Sequence, residues 1–158
     1  MKMTINKNKK TINETINETK PKTNARTITI TPIIDIVGAL ADGTLSKNLY
    51  LLDNNKANGS SGEGTETLKT MVEEGDQLIW SIMSLEPEAF ASITDIVIDS
   101  AYCEPQQRTY PGSDVVYWFG QVKKNLKTTP YSLKIKVGNR DEELLTSSTP
   151  CLVGRSNP

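Results

Sequence analysis

Apolar and polar residues alternate in short segments from Thr27 onward, and Gly, Pro, Asn and Asp separate these segments. Such a period of two predicts β-strands with one face turned to a core. About eight or nine strands follow from the pattern. They are TITIT continuing into PIIDIVGAL, KNLYLLD, TLKTMV, QLIWSIMSL, ASITDIVIDS, VVYWFGQV, YSLKIKVG, EELLT and CLVG. No long window after Thr27 has the period of an α-helix, and only LEPEAF is expected to form a single turn.

Two polar segments interrupt this pattern and are predicted as loops. Asp53–Glu66 contains Asn, Gly and Ser and no large apolar residue, which indicates an exposed loop. Ala101–Asp114 contains two prolines and a Pro-Gly turn, which indicates a loop that crosses between strands.

Strands with one apolar face need a second sheet to cover that face. We therefore predict an all-β fold at residues 27–158, a two-sheet antiparallel β-sandwich with Ig-like or cupredoxin-like topology, preceded by an N-terminal arm at residues 1–26. Trp80 and Trp118 are expected core residues that span the two sheets, and burial of each ring contributes about 2–3 kcal/mol. A sugar-binding platform is the alternative role for this tryptophan pair.

Charge is distributed unevenly along the chain, although the net charge of all 158 residues is only −1. Residues 1–26 hold seven basic and two acidic residues, a net charge of +5, and residues 27–158 hold 11 basic and 17 acidic residues, a net charge of −6. A basic arm on an acidic body favours head-to-tail self-association or binding to an acidic surface. A solvated arm without fixed structure is the alternative.

The arm contains the repeat TINETINETK. As a strand it places Ile12, Glu14, Ile16 and Glu18 on one face, whereas as a helix it places Ile5, Ile12 and Ile16 near one stripe. Thr and Asn disfavour the helix, and the segment has too little apolar area to fold by itself. We therefore predict an arm that adds a strand to the sheet edge of a neighbouring copy. Its candidate contact residues are Ile5, Ile12, Ile16, Lys7, Lys9 and Lys10.

The chain contains no histidine. This removes the commonest general base near neutral pH, the Ser-His-Asp and Cys-His nucleophile systems, and the imidazole ligands of a blue-copper site. Cys103 and Cys151 are too far apart in sequence for a zinc site of the usual spacing. We expect no enzymatic activity, no metal and no cofactor.

The Asp53–Glu66 loop offers oxygen ligands in Asp53, Asn55 and Glu63, although it does not meet the EF-hand spacing. These three residues are candidate ligand-binding residues, and calcium binding there is left open. Sequence-specific nucleic-acid binding is not expected, because the arm lacks interleaved aromatic residues and the body is acidic.

No apolar run approaches the roughly 18 residues of a membrane span, and no secretory signal is visible in the N-terminal residues. We expect a cytoplasmic protein with reduced thiols at Cys103 and Cys151. Export by a leaderless route would allow these two cysteines to pair instead.

The segment EEGDQLIWSIMSLEP joins a Gly-Asp turn, an apolar strand centred on Trp80 and a polar turn. In this it resembles the PixA- and AidA-type inclusion body proteins of bacteria. The order of IIDIVGAL, DNNKANGS, VYWFGQV, TTPYSLKIKVG and STPCLVG is similar too, and the resemblance covers roughly residues 33–154. It implies a β-rich protein associated with abundant cytoplasmic inclusions, and it supplies no catalytic residues. The long basic arm departs from the family pattern.

The sequence therefore predicts a non-enzymatic structural protein that self-assembles into a polymer or inclusion through its arm or its sheet edges, with other copies of itself as partners. The alternative is a lectin- or adhesin-like binding module whose loops Asp53–Glu66 and Ala101–Asp114 contact a glycan or a surface.

Overall fold

A computed structural model of the protein describes residues 24–147 and 149–155. Within these ranges it contains eleven β-strands, one α-helix and one 3-10 turn. In chain order they are β1 (Thr27–Ile34), α1 (Ile36–Asp42), β2 (Leu49–Asp53), the 3-10 turn (Lys56–Asn58), β3 (Lys69–Val72), β4 (Gln77–Trp80), β5 (Met83–Ser84), β6 (Ala91–Ile98), β7 (Gln106–Thr109), β8 (Val116–Gln121), β9 (Thr128–Val137), β10 (Glu143–Leu145) and β11 (Cys151–Gly154).

The strands form two sheets that pack as an open sandwich. The first sheet has the order β2-β1-β4-β8-β7, with β5 beside the end of β1. In the second sheet the long strand β9 pairs with β6, β10 and β11, and β3 pairs with β11. The predicted all-β, two-sheet sandwich is confirmed.

Each sheet also contains a parallel pair, so both are mixed and not wholly antiparallel. β1 runs parallel to β4, with Ile30 opposite Trp80, and β11 runs parallel to β3. Parallel partners need a long crossover instead of a tight turn, and α1, β2 and β3 occupy the crossover between β1 and β4. Alternation in a sequence indicates which residues share a face, but it does not indicate the direction of the partner strand.

The core lies between the sheets and is built from the alternating residues of the longest strands. In β1 the residues Ile28, Ile30 and Ile34 are buried. The buried residues of β9 are Thr129, Tyr131, Leu133, Ile135 and Val137. Burial of each of these aliphatic side chains contributes about 1.5–3 kcal/mol to the stability of the fold. Because β1 belongs to the first sheet and β9 to the second, these residues stabilise the packing of the two sheets.

The predicted strand PIIDIVGAL is wrong beyond Ile34, because the chain there forms the helix α1. The Asp35 carboxylate accepts a hydrogen bond from the Gly38 N–H at 2.7 Å and caps the N-terminal end. Gly43 ends the helix with a left-handed φ of 68°. Both capping residues are visible in the sequence, but the β-branched residues between them favour a strand.

Two further predictions are corrected by the pairing. The segment QLIWSIMSL is not one strand but two, since β4 ends at Trp80 and β5 begins at Met83. Part of the predicted loop Ala101–Asp114 is the edge strand β7, which pairs with β8. All four residues of β7 are exposed, so no alternation of apolar and polar residues marks it in the sequence.

Candidate functional site: an open groove between the sheets

One side of the sandwich is closed by the segment Asp53–Glu66. Its residues hydrogen-bond to β2, where the Gly64 N–H donates to the Leu51 carbonyl at 2.8 Å, and to β3, where Ser61 and Lys69 exchange two backbone hydrogen bonds of 2.8 and 3.0 Å. The segment thus shields the β2 and β3 edges from pairing with another chain. The prediction of an exposed loop is wrong for Asn55, Ser60 and Glu66, which are buried.

The predicted ligand residues of this segment are only partly engaged within the chain. Asp53 accepts a hydrogen bond from the Asn55 N–H at 2.8 Å. The Asn55 amide donates to the Met71 carbonyl at 2.6 Å and accepts from Asn58 at 2.7 Å. Glu63 is half-buried, and among the described residues neither its Oε1 nor the Asp53 Oδ2 has a hydrogen-bond partner, although both atoms are buried. In the part of the chain that the structure describes, no group of three or more carboxylate or thiol side chains is arranged to hold a metal ion.

The opposite side of the sandwich is open. Among the described residues, β6 pairs only with β9 and β7 pairs only with β8, so one edge of each sheet is left without a partner strand there. Between these edges runs a groove with a volume of about 610 Å³. Its lining includes Ile82, Ile93, Thr94, Val116 and Trp118.

The rim of the groove is apolar and exposed. Phe90, just before β6, is 58% exposed, and Val115, in the turn between β7 and β8, is 56% exposed. Asp114 adds one carboxylate beside Val115. Large exposed apolar residues that cluster beside a groove are typical of interaction surfaces in proteins.

Both predicted core tryptophans join the two sheets near this groove. Trp80 and Trp118 lie opposite each other on β4 and β8. Trp80 is fully buried, and its ring meets the ring of Tyr131 on β9 edge to face at a centroid distance of 6.0 Å. Trp118 is half-buried, lines the groove, and donates its indole N–H to the Ile93 carbonyl on β6 at 2.9 Å.

The hydrogen bonds at the start of β6 indicate which way its backbone faces. The Gly138 N–H donates to the Phe90 carbonyl at 2.8 Å, so Phe90 points its carbonyl towards the end of β9. Successive residues of an antiparallel strand point their backbone groups to opposite sides. Ala91 and Ile93 therefore turn their backbone groups away from β9, and the bond from Trp118 reaches Ile93 from that side.

The N-terminal arm enters the sandwich at an anchored residue. The Arg26 guanidinium pairs with the buried carboxylate of Asp76, which also accepts a hydrogen bond from the Glu73 N–H at 2.8 Å. The hydrogen bond with Asp76 raises the pKa of Arg26. The Gln77 N–H donates to the Arg26 carbonyl at 2.8 Å. The arm candidates Ile5, Ile12, Ile16, Lys7, Lys9 and Lys10 lie outside the described residues.

Both cysteines are free thiols. Cys103 is fully buried, and burial raises its pKa to about 11. A thiol of that pKa is almost wholly protonated at neutral pH and is a poor nucleophile. Within residues 24–147 and 149–155, no helix is long and apolar enough to cross a membrane.

Apart from the tryptophans, sequence reasoning did not single out the residues that line the groove, and it did not identify the Arg26–Asp76 pair. A faint signal was present in the two adjacent valines after PGSD and in Phe90 between polar turns, since neither fits an alternating strand that faces a core.

The architecture defines a class of fold, an open two-sheet β-sandwich. The chain superposes on the crystal structure of the inclusion body protein PixA from Burkholderia cenocepacia J2315 with a TM-score of 0.61 at 16% sequence identity, over 87% of this chain and 99% of that one. The resemblance predicted from the order of strands and turns is thereby confirmed at the level of the fold.

A family model described as a domain of unknown function, DUF8788, matches residues 26–143. The chain belongs to this family. Comparison with curated proteins gave no match.

Proposed function

We propose that the protein is a non-enzymatic structural protein of the cytoplasm that self-assembles through the open side of its sandwich. The observation that carries this proposal is the groove between the β6 and β7 edges, with its apolar rim. The shared fold supports it, because the superposed protein is described as an inclusion body protein.

The two sides of the sandwich differ in a way that favours association. Unpaired strand edges promote contact between chains, and proteins usually cover them. Here Asp53–Glu66 covers the edges of β2 and β3, whereas on the other side apolar residues lie next to the edges of β6 and β7. A surface that combines exposed backbone groups with exposed apolar side chains is suited to bind another polypeptide.

The chemistry of the described residues supports a non-enzymatic role. The sequence contains no histidine, and Cys103 is buried with a raised pKa. The groove itself is lined mainly by apolar and hydroxyl side chains, with Asp114 as its acidic group. A lone exposed carboxylate does not supply the paired acid and base that most hydrolytic mechanisms need.

Sedimentation velocity and electron microscopy of the purified chain over a range of concentrations test this proposal. We expect particles larger than the monomer, and we expect Val115→Lys to weaken association by roughly tenfold or more, about 1.4 kcal/mol. Val37→Lys is the matched control, because Val37 is 66% exposed on α1, outside the groove lining. A wild-type chain that stays monomeric throughout would overturn the proposal.

Glycan binding is the second candidate function, and one cluster of side chains favours it. On β7, β8 and the turn between them, Tyr110 and Tyr117 stack with ring centroids 4.4 Å apart, and the Arg108 guanidinium lies 3.9 Å from the centre of the Phe119 ring. Exposed aromatic rings are suited to pack against the apolar faces of sugars.

A glycan array probed with and without calcium tests this second function. We expect binding that Tyr110→Ala removes and that does not depend on calcium, because the rings of this cluster would contact a sugar without a metal ion. An array without any bound glycan would contradict a lectin-like role.

A further inference from the structure

We propose that the groove between the β6 and β7 edges receives the repeat at residues 11–19 of a second copy, which adds to β6 as a new antiparallel or parallel edge strand. This inference rests on the proposed function, since it names the occupant of the same open side. It implies that each chain is at once a donor of its arm and an acceptor of its neighbour's arm.

The start of β6 supplies the acceptor. Ala91 and Ile93 turn their backbone groups away from β9 and towards the groove. An added strand gains its affinity from such main-chain hydrogen bonds and its specificity from the pockets that take alternate side chains. The Ile93 carbonyl already accepts the Trp118 indole N–H, so the added strand would bond to the backbone groups of Ala91 and the Ile93 N–H and lie next to the Trp118 ring.

The repeat presents two isoleucines on one face of an extended strand. In an extended strand Ile12 and Ile16 share a face and lie about 13 Å apart, at about 3.3 Å per residue. Their face would lie on Ile82, Val116 and Trp118, which line the groove, and Glu14, which shares this face, would have to reach water along the groove opening. The opposite face carries the polar residues Thr11, Asn13, Thr15, Asn17 and Thr19, as suits a face in contact with water.

Charge favours the same partner. The arm carries a net +5 and the rest of the chain a net −6, so an arm is attracted to the body of another copy. Within the groove, Asp114 is placed to attract a lysine that flanks the repeat, Lys9 or Lys10 in one strand direction and Lys20 in the other. Salt screens this attraction, because Asp114 is exposed.

The anchor at Arg26 favours a neighbour over the arm's own groove. The arm leaves the first sheet at the Gln77 end of β4, whereas the groove is lined at the other end of β4, by Trp80, Ser81 and Ile82. To reach its own groove the arm would have to reverse and pass β4, β8 and β7, about 14 Å of strand spacing, which takes up most of the roughly 20 Å that residues 20–25 span when extended. An arm that joins a different copy makes a head-to-tail contact, which extends into a filament unless the rotation closes a ring.

The test compares two full-length double variants that carry the same added charge. Ile12→Asp with Ile16→Asp changes the face proposed to enter the groove, and Thr11→Asp with Thr15→Asp changes the opposite face. Sedimentation velocity reports assembly, and hydrogen exchange of the peptide that contains Phe90–Thr94 reports strand addition. We expect the isoleucine variant to lose roughly tenfold or more in association and to exchange faster in this peptide, and the threonine variant to lose much less.

Binding in trans completes the test. A synthetic peptide of residues 8–20 should bind the full-length isoleucine variant in fluorescence anisotropy, and a peptide with the same composition in scrambled order should not. Equal assembly by both double variants overturns arm docking and leaves self-assembly through the groove intact. The wild type could instead be monomeric, with its Phe90–Thr94 peptide protected from exchange in the native sequence but not in the isoleucine variant. This result would mean that the arm docks within its own chain, and it would overturn the neighbour as partner. A monomeric wild type without that protection overturns both proposals.

Discussion

Arg26 binds Asp76 across 50 positions of sequence, and the contact anchors the N-terminal end of β1 to the turn before β4. The Arg26 Nε lies 3.2 Å from Asp76 Oδ1, and the Arg26 N–H donates to the same oxygen at 3.2 Å. Asp76 is only 2% exposed, so its carboxylate depends on these donors in place of water. Arg155 extends the network to the C-terminal end of β11 by donating to Glu73 at 2.9 Å.

Removal of the Arg26 side chain is expected to destabilise the fold. Arg26→Ala leaves the buried Asp76 carboxylate without its charged partner, and we expect a loss of about 2–3 kcal/mol in urea unfolding, below the full cost for a buried pair. The loss is reduced because the Arg26 side chain is 27% exposed and water screens part of the pairing. Asp141→Ala, which removes the exposed ion pair with Lys136, is the control and should leave the midpoint unchanged. Equal losses in the two variants would contradict a special role for the anchor.

Gly154 is expected to tolerate no side chain. A Cβ atom there would lie 1.6 Å from the Leu126 carbonyl oxygen, which belongs to the backbone and cannot rotate away. We expect Gly154→Ala to cost about 3 kcal/mol or more, or to prevent folding, in thermal and urea unfolding. Gly64→Ala is the control, because a Cβ there meets no atom within 4 Å and costs only the strain of a positive φ, about 1–2 kcal/mol. The idea of a close backbone approach fails if Gly154→Ala is the milder of the two.

Glu86 is expected to make stability depend on acidic pH. Its carboxylate accepts hydrogen bonds from the N–H groups of Val37 and Ile36 at the start of α1, and these bonds lower its pKa. Because the pKa of Glu86 is lower in the folded chain than in the unfolded chain, ionised Glu86 stabilises the fold. The whole of this stabilisation is present at pH values above the unfolded-state pKa of about 4.3. The added stability is lost as the pH falls through the lowered folded-state pKa.

Replacement by glutamine isolates this effect. We expect Glu86→Gln to melt below the wild type at pH 7, and the difference between them to shrink as the pH falls below about 4.3. Glu88→Gln is the matched control on an exposed neighbour and should follow the wild type at every pH. A difference that grows on acidification would show that Glu86 does not cap α1 as a carboxylate.

The two thiols are expected to react at very different rates. Cys103 is buried with its pKa raised to about 11, whereas Cys151 is half-buried on β11. We expect one thiol per native chain to react rapidly with an aromatic disulfide reagent at pH 8, and the second only after unfolding. Cys151→Ser should abolish the rapid phase. Two rapid phases in the native chain would mean that the core around Cys103 is open.

Much of the fold was predictable because alternation is a local property of the chain. In β9 the buried residues Tyr131, Leu133, Ile135 and Val137 recur at every second position, as expected for a strand over a core. The polar segment Asp53–Glu66 was likewise placed between strands by its composition. The absence of histidine limits the possible chemistry of the chain whatever its fold.

The sequence by itself determined which residues form the core faces, where most strands lie, and how charge is divided between arm and body, because each depends on nearby residues alone. Tertiary structure alone decided that β1 runs parallel to β4, that the exposed segment Gln106–Thr109 is a strand, and that the edges of β6 and β7 flank a groove. These features arise from hydrogen bonds and packing between segments far apart in sequence. The alternation of apolar and polar residues within a strand does not depend on which strand pairs with it or on whether its edge is covered, so it cannot reveal either.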